Sequence, residues 1–340
     1  MISLIIPTTS KNKKYTDNLL SNIHELYPDI EVIVEENDSV TLGQNYNNAV
    51  ARATGDKIIL LHNDMVLSPG FVETMDTHIQ PGRITTYTRI EPPIYTDTYP
   101  GKVILDCGFD LDTFDHDKFS KYQTTAELVD GGSQLFFGCM RNEYIGIDGN
   151  TFTMFCEDDD LHRRYRLLGF EHKVSSAYVY HFVSKTSRTT TDYQQIELAS
   201  NRNYVRKWGS RLDAPKYNIG IRVVNCNLAV LDLLEPYCDR IYIDDDMQVI
   251  TSHYLDKEQH NTKYDLTKRV MTTGYNNPYD YDDIVVEVDA KRMTQQDAAY
   301  IFMLPQIIQE SGEIGSFQLG NLKITIQNLE TYEKDLIICK

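Results

Sequence analysis

The residues best suited to chemistry lie at the end of one apolar run. In Lys57-Ile58-Ile59-Leu60-Leu61-His62-Asn63-Asp64, the apolar stretch gives way abruptly to three polar side chains able to bind a metal ion or a phosphate. Such a run suits a strand buried on both faces, and in open α/β sheets ligands sit just beyond the carboxyl ends of these strands. Asp64 is thereby expected to project into a cleft. A plain turn is the alternative, because Asn and Asp are ordinary turn residues and Ser68-Pro69-Gly70 follows closely. A second cluster, Glu157-Asp158-Asp159-Asp160, opens a helical pattern. Crowded carboxylates raise one another's pKa and suit general base work, whereas the helix macrodipole alone accounts for one or two acids in a first turn. His181, at the end of another apolar run, reads on its own as a histidine capping a strand.

These residues need a scaffold, and the first 64 residues supply a regular one. Ile2–Ile6 reads as a strand stopped by Pro7. Tyr15, Leu19, Leu20, Ile23, Leu26 and Tyr27 recur at helical spacing. Glu31–Val34 is a second strand, and a second helix carries Leu42, Tyr46, Ala49, Val50 and Ala53 before Gly55. The strand ending at His62 completes β-α-β-α-β, the pattern of a parallel sheet with right-handed crossovers. Ser68-Pro69 predicts a helix start, as N-cap and first residue, with the helix running to Ile79.

From Glu91 to Lys121 the chain is rich in Pro, Asp, Tyr and Thr and reads as a solvated loop; its spacing lacks the Gly and Glu of a calcium-binding EF-hand. Strands are expected at Gln134–Phe137 and Ser176–Phe182, and helices over 157–168, stopped by Gly169, and through Ile196, Asn203, Tyr204 and Trp208, ending at Gly209. Pro215 marks a boundary. Beyond it Ile219–Val224, Leu228–Leu234 and Arg240–Ile243 start a second β-α-β series. Ile284–Val288, an apolar helix through Ala298–Ile308 interrupted by Pro305, and short strands at 322–326 and 336–338 follow. Asp244-Asp245-Asp246 reads as a turn, since no Gly-rich phosphate loop accompanies it.

Composition narrows the function classes. With 33 basic against 50 acidic residues the net charge is −17 over 340 residues, which disfavours nonspecific binding to nucleic acid or anionic membrane. No apolar run approaches the roughly 20 residues of a membrane span, and the N-terminus enters a strand pattern without a leader-like segment; a cytoplasmic protein is expected. The scattered cysteines have no C-x-x-C spacing and suggest neither zinc nor a disulfide framework.

Taken in order, the motifs resemble those of the family 2 glycosyltransferases of the GT-A fold, over roughly residues 1–212. Ser3-Leu4-Ile5-Ile6-Pro7-Thr8 looks like the family's opening strand and Val32-Ile33-Val34-Glu35 like its second. Asn47 to Asp56 fits N-x-G-I-x-x-A-x-G-D with Ala49 in place of Gly. His62-Asn63-Asp64 occupies the D-x-D position, Cys156-Glu157-Asp158-Asp159-Asp160-Leu161 fits E-D-x-D-L, and Tyr178-Val179-Tyr180-His181 fits the strand with a late histidine. Two departures stand out: His62 replaces the first aspartate, and Glu35 replaces the usual Asp.

The resemblance implies an α/β fold of GT-A type, a Rossmann-like mixed sheet over 1–212, with a smaller α/β domain over 213–340 of unassigned role, open to acceptor binding or homo-oligomerisation. It implies transfer of a sugar from a nucleotide-diphosphate donor, UDP-sugars favoured, to a carbohydrate or other hydroxyl, with inversion and with Mn²⁺ or Mg²⁺. Asp158 is the implied base, with Glu157 and Asp160 on the acceptor side. Thr8, Glu35, Asn37, Asn47, His62, Asn63, Asp64, Lys185 and Arg188 face the donor, and Asp64 and His181 hold the metal. Two other readings stand beside it. One is a noncatalytic carbohydrate- or nucleotide-binding protein, suggested by His62. The other is a nucleotidyltransferase, disfavoured because Thr8–Lys14 has no glycine.

Overall fold

The computed structural model describes residues 1–122, 124–132, 134–183, 185, 192–244, 248–274 and 276–337. The chain divides into two compact units, Met1–Glu197 and a second from Leu198 onward. The pattern-based boundary at 212 lies one helix later. Arg202 and Arg206, on the last turns of that helix, pair with Glu258 and Glu235 of the second unit, which is why the division falls inside the helix.

Among the described residues of the first unit, nine strands form one sheet: β1 (Ile2–Thr8), β2 (Glu31–Glu36), β3 (Lys57–Leu60), β4 (Met65–Leu67), β5 (Arg83–Glu91), β6 (Lys102–Ile104), β7 (Leu128–Asp130), β8 (Phe137–Met140) and β9 (Glu171–His181). The order is β2-β1-β3-β8-β5-β9-β4, with β6 beside β5 and β7 beside β9. β1, β2 and β3 run parallel, β8 is antiparallel to both β3 and β5, and β5 is parallel to β9. The carboxyl ends of β1, β2, β3, β5 and β9 therefore share one edge.

The helices are α1 (Lys13–Leu26), α2 (Leu42–Arg52), α3 (Phe71–His78), α4 (His116–Phe119), α5 (Glu157–Leu167) and, across the unit division, α6 (Tyr193–Trp208). Leu19 and Ile23 of α1 and Phe71 and Met75 of α3 pack with Leu4, Ile6 and Ile59 on one sheet face. Tyr46 and Val50 of α2 and Leu161 and Tyr165 of α5 pack with Ile5, Ile58 and Leu60 on the other. Both faces are covered, which is why the central strands β1 and β3 are largely apolar. α2 begins where Thr41 and Gln44 form a reciprocal cap, with Gln44 N–H donating to Thr41 Oγ1 at 3.2 Å and Thr41 N–H to Gln44 Oε1 at 3.1 Å.

Three local expectations are corrected, and one strand is new. Pro7 does not stop β1, which pairs with β2 through Thr8. Ile5 bonds toward β3 by accepting from Leu61 N–H at 2.9 Å, and Pro7 shares that parity just past the end of β3, so its missing N–H forfeits no ladder bond. α3 starts at Phe71 after a left-handed Gly70, not at Pro69, because the Ser68 hydroxyl bonds Thr124 Oγ1 at 2.8 Å instead of capping. The strand expected at 134–137 lies at Phe137–Met140, and β5 has no counterpart in the sequence pattern.

In the second unit the strands are β10 (Ile219–Val224), β11 (Arg240–Ile243), β12 (Val270–Thr272), β13 (Ile284–Asp289), β14 (Gly315–Leu319) and β15 (Leu322–Ile326), in the order β12-β11-β10-β13-β15-β14. The first four are mutually parallel and the last two form a hairpin. Helices α7 (Leu228–Leu234), α8 (Gln248–Glu258), α9 (Gln295–Phe302), α10 (Leu304–Ser311) and α11 (Glu333–Leu336) complete it. Pro305 sits in the first turn of α10, the position its missing N–H tolerates. The strand expected at 336–338 is corrected too: Leu336 ends α11, and Ile338 lies outside the described residues, as do Asp245 and Asp246.

Glu235, fully buried, is the electrostatic centre of this unit. It accepts from Arg206 Nη2 at 2.7 Å, Arg269 Nε at 2.6 Å and Tyr254 Oη at 2.5 Å. Burial works against its charge, but the two guanidinium groups hold its pKa down at about 2. A carboxyl depressed below its unfolded value of about 4.3 contributes stability that is complete above that value and lost as pH falls through the folded one. Glu235→Gln should therefore cost about 3–5 kcal/mol at pH 7, and the gap in denaturant midpoint between wild type and variant should narrow as pH falls from about 4.5 toward 2. A gap that is absent, or that does not change with pH, contradicts this role.

Candidate functional site

The polar ending of the β3 segment is folded into a tight junction. Asn63 is buried and donates through Nδ2 to Thr8 Oγ1 at 3.1 Å and to Thr16 Oγ1 at 3.2 Å, which ties the turn to the end of β1 and to α1. Asp64 enters β4, whose antiparallel register sets Met65 opposite His181. That pairing brings the Asp64 carboxylate to His181, with Oδ1 3.3 Å from Nε2. His62 completes the group: ligand atoms of His62, Asp64 and His181 all lie within 4.8 Å of one another.

The protonation of the group follows from its surroundings. His62 is packed 4.5 Å from the Phe136 ring; burial, reinforced by the charge on His181, pulls its pKa down to about 4. Its Nε2 is buried without a hydrogen-bond partner, and in the tautomer protonated at Nδ1 it offers a lone pair to a ligand. For His181, burial opposes the charge, but Asp64 and Glu91 outweigh it and lift the pKa to about 9. Asp64 is held down at about 2, burial again being outweighed by His181. A cation bound here must displace the His181 proton. Two imidazoles, one of them with an orphaned nitrogen, and a carboxylate form a donor set that fits a divalent ion.

Behind His181 stands Glu91, at the end of β5. Glu91 Oε1 lies 2.8 Å from His181 Nδ1 and 3.0 Å from Arg89 Nε, while Glu91 Oε2 lies 3.6 Å from Lys102 Nζ, all three side chains being buried. A carboxylate on one imidazole nitrogen fixes the tautomer and aims the other at the metal position. Glu91, Arg89 and Lys102 are not among the sequence-derived candidates, because their stretch reads as loop. The signal was present: Arg89 and Glu91, two apart on a strand, share a face with opposite charges.

α5 delivers the acids. The backbone turns sharply into it through Phe155 and Cys156, both at positive φ (67° and 63°), and Val183, just after His181, is at 57°. Such conformations are strained for residues other than Gly and concentrate at functional sites. Glu157 is buried with Oε2 unpartnered. Asp158 is half-buried and accepts from Asp159 N–H at 2.9 Å. The pKa values of both are raised, by burial first and by the neighbouring carboxylates second. Asp160 differs: it is fully buried in a 2.9 Å ion pair with Arg164, which places it in the helix packing.

The donor-side candidates divide in the same way. Thr8 and Asn63 shape the junction. Glu35 and Asn37 stand at and beyond the end of β2, Glu35 paired with Arg52 and Asn37 Oδ1 accepting from Ser39 N–H at 3.0 Å. The Asn47 amide binds Ile147, donating to its O at 2.8 Å and accepting from its N–H at 2.9 Å, so it pins the segment before α5. Lys185 reaches Asp64 through its backbone N–H, 3.5 Å from Oδ2. Arg188 lies outside the described residues.

With this geometry in hand, comparison with known proteins is informative over one segment. Residues 5–132 match the family model described as Glycosyl transferase family 2. The resemblance read from the opening strands and from His62-Asn63-Asp64 is shown over that span. α5 and His181 lie beyond it and are linked to it by the contacts above. No curated protein matches the chain. Among solved structures, S. aureus TarS is similar over 60% of this chain and 42% of its own, at 14% identity and a TM-score of 0.38; the chain thus spans less than half that protein's length. No described helix is long and apolar enough to cross a membrane.

Replacing Glu91 by Gln should weaken Mn²⁺ binding by about 10- to 100-fold, read by calorimetry or by the free-Mn²⁺ electron spin resonance signal, with the fold retained by circular dichroism. Unchanged affinity would remove Glu91 from the site.

Proposed function

We propose that this chain transfers a sugar from a nucleotide-diphosphate donor to a hydroxyl acceptor, with inversion at the anomeric carbon. The observation that carries this reading is the His62, Asp64 and His181 cluster at the carboxyl edge of a sheet whose opening segment matches the family. A divalent ion held there would act as a Lewis acid on the departing diphosphate. Two imidazole ligands suit Mn²⁺ better than Mg²⁺. One carboxylate, rather than two, leaves the loaded site with net positive charge, which favours the anionic leaving group in a chain that is otherwise acidic.

The protein's own residues supply the rest. Thr8, Glu35 and Asn37, at the ends of β1 and β2, lie where the nucleoside would rest, and UDP-sugars are the first donors to screen. Asp158 takes the proton of the attacking hydroxyl; its raised pKa brings it closer to working pH without protonating it fully. Glu157, deeper and protonated more readily, offers a hydrogen-bond donor beside it.

Asp158→Asn should lower the transfer rate by about 10²- to 10⁴-fold while the donor still raises the melting temperature in the presence of Mn²⁺. Because a base works only when ionised, the wild-type rate should fall as pH drops, with its acid limb centred above the ordinary carboxylate range of about 4, and that limb should vanish in the variant. Full activity in Asp158→Asn would overturn the assignment.

A further inference from the structure

A strip of aromatic and cationic side chains leads away from the cluster. Phe136 is in ring contact with both His62 and His181, at 4.5 and 5.2 Å between centroids. The Arg89 guanidinium lies over the other side of this arrangement, 4.0 Å from the Phe136 centroid, and donates through Nη2 to Tyr99 Oη at 2.6 Å. Gln134 Nε2 donates to the same oxygen at 2.7 Å, and the Gln134 carbonyl lies 2.8 Å from His162 Nε2 on α5. Tyr99 is therefore tied to the metal cluster through Arg89 and Phe136, and to the helix of Asp158 through Gln134.

We propose that Tyr99, with Tyr95 beside it, forms the acceptor subsite and takes a neutral pyranose ring by stacking. The proposal rests on the glycosyltransfer reading above. The sheet order puts β5 between β3, which leads into His62, and the β9–β4 pair that carries His181 and Asp64, so the segment leaving β5 starts beside the cluster. An acceptor must reach both the donor at the metal position and the base on α5, and Tyr99 is hydrogen-bonded toward each, through Arg89 and through Gln134.

The platform is held from beneath. Lys102 Nζ, buried, donates to the Tyr95 carbonyl at 3.1 Å and to Asp97 Oδ1 at 3.1 Å, and sits over the Tyr99 ring at 5.4 Å. Pro92, Pro93 and Pro100 restrict the segment further, which lowers the ordering entropy a ligand must overcome. Tyr95 and Tyr99 each remain 36% exposed, so a rigid aromatic surface is left facing solvent beside the reaction centre. Its charges are spent internally, Arg89 and Lys102 against Glu91 and Asp97. Neither of these two cations is left over for a phosphate or carboxylate, and a ring with one apolar C–H face and a hydroxylated rim fits the platform.

The test uses the full chain and a panel of methyl pyranosides (gluco, galacto, manno and N-acetylgluco, both anomers), observed by saturation-transfer NMR without donor. At least one should bind wild type, Tyr99→Ala should bind it at least tenfold more weakly, and Tyr99→Phe, which keeps the ring, should stay within about threefold of wild type. Tyr95→Ala, expected to weaken binding in the same direction, serves if Tyr99→Ala misfolds. Melting shifts with sugar nucleotides and Mn²⁺ are read in the same proteins, so that failure of the donor reading shows separately, as no shift in wild type. Equal pyranoside binding by wild type and both alanine variants, no binding by wild type, or loss of the donor shift in Tyr99→Ala, which would make Tyr99 part of the nucleotide site, each overturns the proposal.

Discussion

His181 is buried between two carboxylates, and the arrangement of the first unit turns on that contact. An imidazole removed from water is costly to charge, yet Asp64 on one nitrogen and Glu91 on the other reverse the balance and lift its pKa to about 9. Each partner comes from a different strand, Asp64 from the start of β4 and Glu91 from the end of β5, and β9 lies between the two in the sheet. The register of three strands is thus locked by one ring. Arg89 and Lys102 then balance Glu91, and through Arg89 the same network fixes Phe136 and Tyr99. What looks like a metal site and what looks like a saccharide platform are two ends of one buried ionic chain.

His62 gains its meaning from this setting. In sequence it is the residue that breaks the two-carboxylate pattern, and alone it suggests a weakened site. In the fold it is neutral and packed on Phe136, with an unpartnered nitrogen, in a cluster with Asp64 and His181. A neutral nitrogen ligand in place of a carboxylate keeps the donor count while removing one negative charge, a change in metal preference and diphosphate attraction rather than a loss of the site.

The opening β-α-β-α-β was legible because each element follows a local rule: apolar runs for strands covered on both faces, helical spacing for α1 and α2, and the Thr41–Gln44 cap. β5 was not legible. Its interior positions are all buried, so it shows no period of two, and Thr85, Thr86, Arg89 and Glu91 look like loop residues until their tertiary partners are known. α8 was missed for a related reason, burying only Tyr254 and Glu258, too little for a helical stripe. At the site, Asp64, Asp158 and His181 stood out by type and position, and the juxtaposition of Asp64 and His181 needed the β4–β9 register. Asp160 and Asn47 show the converse, since side chains that look reactive in sequence are committed to Arg164 and to Ile147.

The central claim is that His62, Asp64 and His181 together bind one divalent ion at the edge of the first sheet. Crystals of the full chain grown with Mn²⁺ and a uridine diphosphate, with data collected near the manganese absorption edge, test it directly. The account predicts one strong anomalous peak at coordinating distance from His62 Nε2, an Asp64 carboxylate oxygen and His181 Nε2, with diphosphate oxygens completing the shell. No peak there, or a manganese ion bound by Asp64 and diphosphate with both imidazoles turned away, would contradict it.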